Sequence, residues 1–245
     1  MDVEAVLQQV AEEVAGCTRC PLHYSRKRAV PGDGPHDAEI MFIGEGPGFY
    51  ENEQGKPFVG QAGKFLDDLL AGAGLERADV FITNVVKCRP PGNRDPEPAE
   101  LEACAGFLER QVEAINPRVI VTLGRFSMAK FFGAAKISAV HGQARRVHGR
   151  LVVAMYHPAA ALHQPSLKPV LQRDFAALPQ FVQQARQMTP LTDLRPGAPP
   201  LMAAEQASLL NQPHLSMTPP ADEANPSPPP DEPEPPGSPQ QLSLF

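Results

Sequence analysis

Glu39-Ile40-Met41-Phe42-Ile43-Gly44-Glu45-Gly46-Pro47-Gly48 is the stretch whose reading decides the fold. A short apolar run passes directly into a turn that holds three glycines, a proline and a carboxylate. An α/β protein builds the floor for a small planar ligand in this way: the strand end fixes the position, and glycine lets backbone N–H groups approach with no Cβ between. The Gly44-x-Gly46-x-Gly48 spacing echoes a dinucleotide loop, but Pro47 and the missing helix-side glycine depart from that fingerprint. Working outward, residues 38–45, 79–86, 118–124 and 151–157 are short, continuous and β-branched, as strands buried on both faces of a parallel sheet are. Helical patterns near 61–73, 97–115, 125–132 and 168–187 alternate with them. The alternation predicts an α/β fold, a three-layer α/β/α sandwich around a four-stranded, mainly parallel sheet. Ligands of such sheets bind at the carboxyl ends of the strands. Here those ends read Gly44-Glu45-Gly46, Asn84, Gly124-Arg125 and His157-Pro158-Ala159-Ala160, which would gather a carboxylate, an amide and an imidazole in one crevice.

The chain has 245 residues and a formal net charge of −6. That length suits one α/β domain of roughly 150–200 residues with a further segment. The segment from Pro190 to Phe245 holds 15 of the 29 prolines, one basic residue (Arg195) and seven acidic ones, and so carries the whole net charge. Its run Ser-Pro-Pro-Pro-Asp-Glu-Pro-Glu-Pro-Pro-Gly-Ser-Pro (227–239) cannot bury enough apolar area to offset the entropy of ordering. Residues 1–189 are therefore read as the folded domain and 190–240 as a disordered, acidic, proline-rich linker. The body balances 21 basic against 21 acidic residues and has local basic clusters such as Arg145-Arg146-Val147-His148-Gly149-Arg150, so the acidic total does not argue against nucleic acid. The N-terminal stretch is acidic (Asp2, Glu4) and amphipathic (Val3, Val6, Leu7, Val10, Val14). No apolar run approaches the roughly 20 residues a membrane span needs, which predicts a soluble, cytoplasmic protein.

Four cysteines in such a chain suit ligands better than disulfides. Cys17-x2-Cys20 and Cys88-x15-Cys104 form two groups of thiols. A Cys-x2-Cys pair brings two thiolates to one metal from a single turn, and two more complete an all-sulfur set. The spacing accepts zinc and a [4Fe–4S] cluster equally.

Gly44-Glu45-Gly46-Pro47-Gly48, Glu51, Gly55-Lys56-Pro57-Phe58-Val59-Gly60-Gln61-Ala62-Gly63, Asn84-Val85-Val86-Lys87-Cys88-Arg89-Pro90-Pro91 and His157-Pro158-Ala159-Ala160 together resemble the family 4 uracil-DNA glycosylases, from about Cys17 to Leu178. The resemblance implies that Cys17, Cys20, Cys88 and Cys104 hold a structural [4Fe–4S] cluster. It implies a uracil pocket at Gly46, Phe58, Asn84 and His157, with Glu45, Glu51, Asn93 and His157 in catalysis. The side chains suit that task. An enzyme that flips a base must hold it by edge and face. Phe58 offers a stacking face, and the Asn84 amide offers one donor and one acceptor for the uracil O4/N3 edge. His157 can donate to O2 and stabilise the departing anion. A carboxylate can steady the sugar's oxocarbenium character or orient water. The best-known uracil glycosylases have an aspartate where this chain has Gly46, an absence the family 4 pattern shares, so water positioning falls to Glu45 and exclusion of the thymine methyl to Glu51. A related branch bonds covalently to DNA through a histidine in a basic insertion after Asn84; this chain lacks the insertion, which predicts turnover. With no lysine at an evident nucleophile position, a monofunctional enzyme without strand cleavage is expected, acting as a monomer on single- or double-stranded uracil-containing DNA. Leu162 is the expected wedge into the vacated stack, and Lys168, Arg145 and Arg146 the expected phosphate contacts.

Gln241-Leu242-Ser243-Leu244-Phe245 resembles the pentapeptide by which bacterial replication and repair proteins bind the β sliding clamp, with Gln241, Leu242, Leu244 and Phe245 as anchors. A short apolar anchor on a flexible linker suits a pocket on a partner. Two other readings fit the chain: a non-catalytic iron–sulfur module that binds DNA or the clamp, and a glycosylase of wider range that takes hypoxanthine or xanthine.

Overall fold

The structure is a computed structural model and describes residues 2–188. The expected linker at 190–240 and the Gln241–Phe245 motif lie outside the described residues. In chain order the regular elements are α1 (Val3–Gly16), β1 (Ile40–Gly44), α2 (Phe49–Gln54), α3 (Gln61–Gly72), β2 (Val80–Asn84), α4 (Pro98–Ile115), β3 (Val119–Leu123), α5 (Arg125–Phe132), α6 (Ile137–Val140), β4 (Ala144–Val147), β5 (Arg150–Met155), α7 (Pro158–His163), α8 (Lys168–Ala176) and α9 (Leu178–Gln187).

The sheet order is β2-β1-β3-β5-β4, with β2, β1, β3 and β5 parallel and β4 antiparallel to β5. Every residue of the four parallel strands is buried, because alternate side chains enter opposite layers. Ile40, Phe42, Ile82, Val121 and Val153 pack with the core residues of α3, α8 and α9. Met41, Ile43, Phe81, Ile120 and Val152 pack with α1, α4 and α5. The architecture is thus the expected three-layer sandwich, with two differences. The sheet has five strands, not four: Ala144–Val147, read from sequence as a basic cluster, is the edge strand β4. Its exposed Arg145 and Arg146 give it no apolar alternation to read, and charge on an edge deters further strand pairing. The single helix expected over 168–187 is two, broken at Ala177, where Pro179 opens α9 without the N–H that would continue α8. Among the described residues no helix is long and apolar enough to cross a membrane.

Candidate active site

Gly44 and Asn84 are paired in register at the carboxyl ends of β1 and β2. A Cβ on Gly44 would overlap the Asn84 Oδ1 and lie 2.8 Å from the Phe58 ring, so the glycine makes room for both side chains over the strand end. On the far side, the Gly124 N–H donates to the Met155 carbonyl at 2.9 Å, which aligns the ends of β3 and β5. Gly124 has φ +86, and a Cβ there would stand 3.2 Å from that of His157. The His157 and Phe58 rings stack with centroids 5.4 Å apart and planes inclined by 25°. Asn84, Phe58 and His157 therefore surround one point above the sheet edge.

Phe58 is held there against its backbone preference. Its φ is +51, an unusual value for a bulky L-residue. Arg77 donates to the Phe58 carbonyl at 3.0 Å and to that of Pro57. A Cβ on Gly63 would overlap the Phe58 carbonyl, so the loop lies directly on α3. Glu51 supplies the third restraint: its carboxylate accepts from the N–H groups of Gly48 (3.1 Å), Val59 (2.8 Å) and Gly60 (2.9 Å). It ties the glycine turn after β1 to the loop that carries Phe58. With three amides on it, Glu51 is placed as a brace of the pocket wall.

His157 is the N-cap of α7, and its Nδ1 accepts from the Ala159 N–H at 3.1 Å. Nδ1 thus presents a lone pair, and the proton of the neutral ring resides on Nε2. Burial lowers the imidazole pKa to about 4, against the smaller opposing pull of Glu51. The ring is neutral at physiological pH and its Nε2–H is a donor. Asn84 is 2% exposed, and its Oδ1 is buried without a hydrogen-bond partner. A buried amide oxygen left unpaired costs on the order of 1–3 kcal/mol, so this one is set for a donor from a ligand.

Glu45 follows the end of β1 and is half-buried. Burial raises its carboxyl to about 7; the Asp95 charge adds to the rise and Arg125 opposes it. Asp95 and Arg125 are themselves an ion pair, joining the turn before α4 to the first residue of α5. Asp95 carries no local sequence signal, because only the tertiary fold brings it to Glu45.

Residues 31–183 match the family profile described as "Uracil DNA glycosylase superfamily". Over 178 residues the chain is 48% identical to the type-4 uracil-DNA glycosylase of Archaeoglobus fulgidus, covering 69% of this chain and 89% of that protein. The type-4 enzyme of Saccharolobus solfataricus is 47% identical over 198 residues, covering 76% and 89%. That of Thermotoga maritima is 41% identical over 186 residues, covering 74% and 97%. The chain belongs to the uracil-DNA glycosylase superfamily.

For a member of the uracil-DNA glycosylase superfamily, the rim of the crevice matters as much as its floor. Leu162 lies on α7, five residues after His157, with 43% of its surface exposed, and Lys168 is exposed at the start of α8. Phe49 and Tyr50 are exposed where α2 begins. Asn93 sits in an exposed turn with φ +53, its Oδ1 accepting from Arg89 Nε at 2.8 Å, and the Arg89 guanidinium lies over Phe49. Asn93, expected in catalysis, is thus a turn residue tied through Arg89 to Phe49. Arg145 and Arg146 are not brought to the crevice. They pair with Val152 and Leu151 in β5 and so lie roughly 15–20 Å back along the strand from His157.

The four cysteines line one cavity, with Lys87 and Arg26 among its other residues. Cys17 caps α1, Cys88 follows β2 and Cys104 lies in α4, so distant segments meet here. Burial raises the thiols of Cys20, Cys88 and Cys104, the last to about 11, so their ionisation needs a compensating cation. Arg26 donates to Cys88 Sγ at 3.4 Å and to the Cys17 carbonyl at 2.7 Å. Among the described residues no three His, Cys, Asp or Glu side chains close around a single metal ion.

Proposed function

We propose that this protein is a monofunctional uracil-DNA glycosylase that flips uracil from DNA, hydrolyses the N-glycosidic bond and leaves an abasic site for base excision repair. The observation that carries the reading is the orphaned Asn84 Oδ1 beside the neutral His157. Uracil N3–H is the donor that oxygen lacks, and the Asn84 amide N–H can donate to O4. Cytosine presents an unprotonated N3 and an amino group at those two positions and would oppose acceptor with acceptor and donor with donor. Phe58 stacks on the base, and Glu51 holds the turn and loop in place. As the C1′–N1 bond breaks, its electron pair moves onto the base, and the His157 Nε2–H meets the charge developing at O2. Glu45 orients water toward C1′ and takes its proton; a carboxyl near 7 is matched to that exchange at neutral pH. Leu162 fills the vacated stack, and Lys168 engages a phosphate.

The cysteine cavity suits a [4Fe–4S] cluster held by Cys17, Cys20, Cys88 and Cys104. All four cysteines line one cavity, an all-sulfur set that a [4Fe–4S] cluster accepts, and the type-4 relatives favour the cluster over zinc. When bound, the cluster supplies iron–sulfur cross-links between α1, the segment after β2 and α4. Gln241, Leu242, Leu244 and Phe245 we assign to a β sliding clamp, with 190–240 as the tether, which places the enzyme in the cytoplasm at replicating DNA.

The test is an end-labelled oligonucleotide with one uracil, incubated with the purified protein and treated with hot alkali, beside thymine and hypoxanthine controls. Cleavage at uracil alone, only after alkali, and lost in His157→Ala is the expected result. Release of hypoxanthine would assign the wider range. No product from protein of full iron content would favour a non-catalytic module.

A further inference from the structure

Lys87 is the least expected side chain in the molecule. It is 1% exposed, and all three of its N–H donors are taken, by Thr83 Oγ1 (2.6 Å), the Asn84 carbonyl (2.9 Å) and Gln111 Oε1 (2.7 Å). Every one of these acceptors is neutral. No carboxylate is among its hydrogen-bond partners. A lysine buried without a counter-ion is costly, and such an arrangement persists where an anion nearby offsets it. The same residue lines the cysteine cavity together with Cys104 and directly precedes Cys88 in the chain. Four cysteine thiolates, once they held a cluster, would supply such an anion in the cavity that Lys87 lines.

The other end of the network is the pocket. Thr83 and Asn84 are the last two residues of β2, and Asn84 is the residue assigned to the uracil edge. Thr83 and Gln111 both donate to the Pro31 carbonyl, at 2.8 Å each, so the network also pins the chain that flanks β2.

We propose that Lys87 is a positioning residue that couples the cysteine cavity to base recognition: its ammonium grips the carbonyl of Asn84 from the cluster side and fixes the direction in which the Asn84 amide meets uracil. The inference rests on the readings of Asn84 and of the four cysteines given above. It makes the cluster more than a staple, because the charge of the loaded thiolates holds Lys87 and Lys87 holds Asn84. A misplaced recognition group costs up to about 100-fold in a preorganised site.

The experiment is a double-mutant cycle on the full-length, iron-loaded protein. Lys87→Met keeps length and volume while removing the charge and its hydrogen bonds. The readouts are iron per chain and affinity for a duplex carrying 2′-fluoro-2′-deoxyuridine, which binds without being cleaved. Lys87→Met should retain iron and weaken binding by about 10-fold or more, and should add nothing in an Asn84→Ala background, since a residue acting through Asn84 has nothing left to act on. Equal losses in both backgrounds, or wild-type affinity in Lys87→Met, would overturn the coupling. Should Lys87→Met lose iron, Gln111→Leu decides the matter: it removes one acceptor a full seven residues from Cys104 and must show the same non-additivity. If Asn84→Ala binds like wild type, the reading of Asn84 itself is wrong and the coupling falls with it.

Discussion

At the scale of single residues, the two titrating groups of the crevice are pushed apart and so given different work. His157, lowered to about 4, stays neutral throughout the working range and serves only as an Nε2–H donor. Glu45, raised to about 7, changes charge within that range. A base that takes a proton from water works when ionised, so single-turnover uracil release should rise with pH through about 7 with the slope of one proton and level off above it. The neighbours fix the sign of every variant. Asp95 disfavours the ionised carboxylate, so Asp95→Asn should move the midpoint to lower pH; Arg125 favours it, so Arg125→Gln should move it higher. Both partners are more than half exposed, so the shifts should shrink as salt is added. A profile that ignores both substitutions would remove Glu45 from the role of base.

At the scale of elements, the crevice depends on glycines where strand, loop and helix touch. Gly44→Ala would drive a methyl group into the Asn84 Oδ1 and against the Phe58 ring. Overpacking of this kind costs about 1–3 kcal/mol of stability, but the displacement falls on the two groups proposed above to hold the base. We expect a lowered melting temperature with the fold retained, and a loss of about 100-fold in kcat/KM for uracil release. Gly63→Ala should be worse for stability, since its Cβ meets the Phe58 backbone, which cannot rotate away as a side chain can. Thermal denaturation beside single-turnover rates separates the two cases. The same contacts explain what could be read in advance. Buried β-branched runs announce parallel strands by themselves, and their ends announce where Gly44, Asn84, Gly124 and His157 must meet. The edge strand β4 was illegible because Arg145 and Arg146 face solvent and carry no apolar period. The grouping of Glu45 with Asp95 and Arg125, and of Lys87 with Gln111, was illegible for a different reason: each joins elements far apart in sequence, and no local spacing records such a meeting.

At the scale of the whole molecule, the segment beyond Met188 differs from the domain in kind. It carries the full −6 of the chain, while the body it follows is balanced. An acidic segment adds repulsion toward DNA and no chemistry, and clamp binding by Gln241–Phe245, as proposed above, would give it a role other than hydrolysis. On that proposal, the roughly 50 residues between domain and anchor turn a second binding event into an intramolecular one whose benefit is effective concentration. Removing residues 189–245 should therefore leave uracil release from a free oligonucleotide unchanged, or slightly raise DNA affinity at low salt, where the lost negative charge is least screened. On DNA loaded with a β sliding clamp, the full-length chain should outpace the truncated one, and Leu244→Ala with Phe245→Ala should abolish that advantage while sparing the basal rate. Clamp pull-down with the double variant provides the direct check. Retained binding would mean that the apolar end is not the anchor, and equal rates on clamp-loaded and bare DNA would mean that the tether serves some other partner.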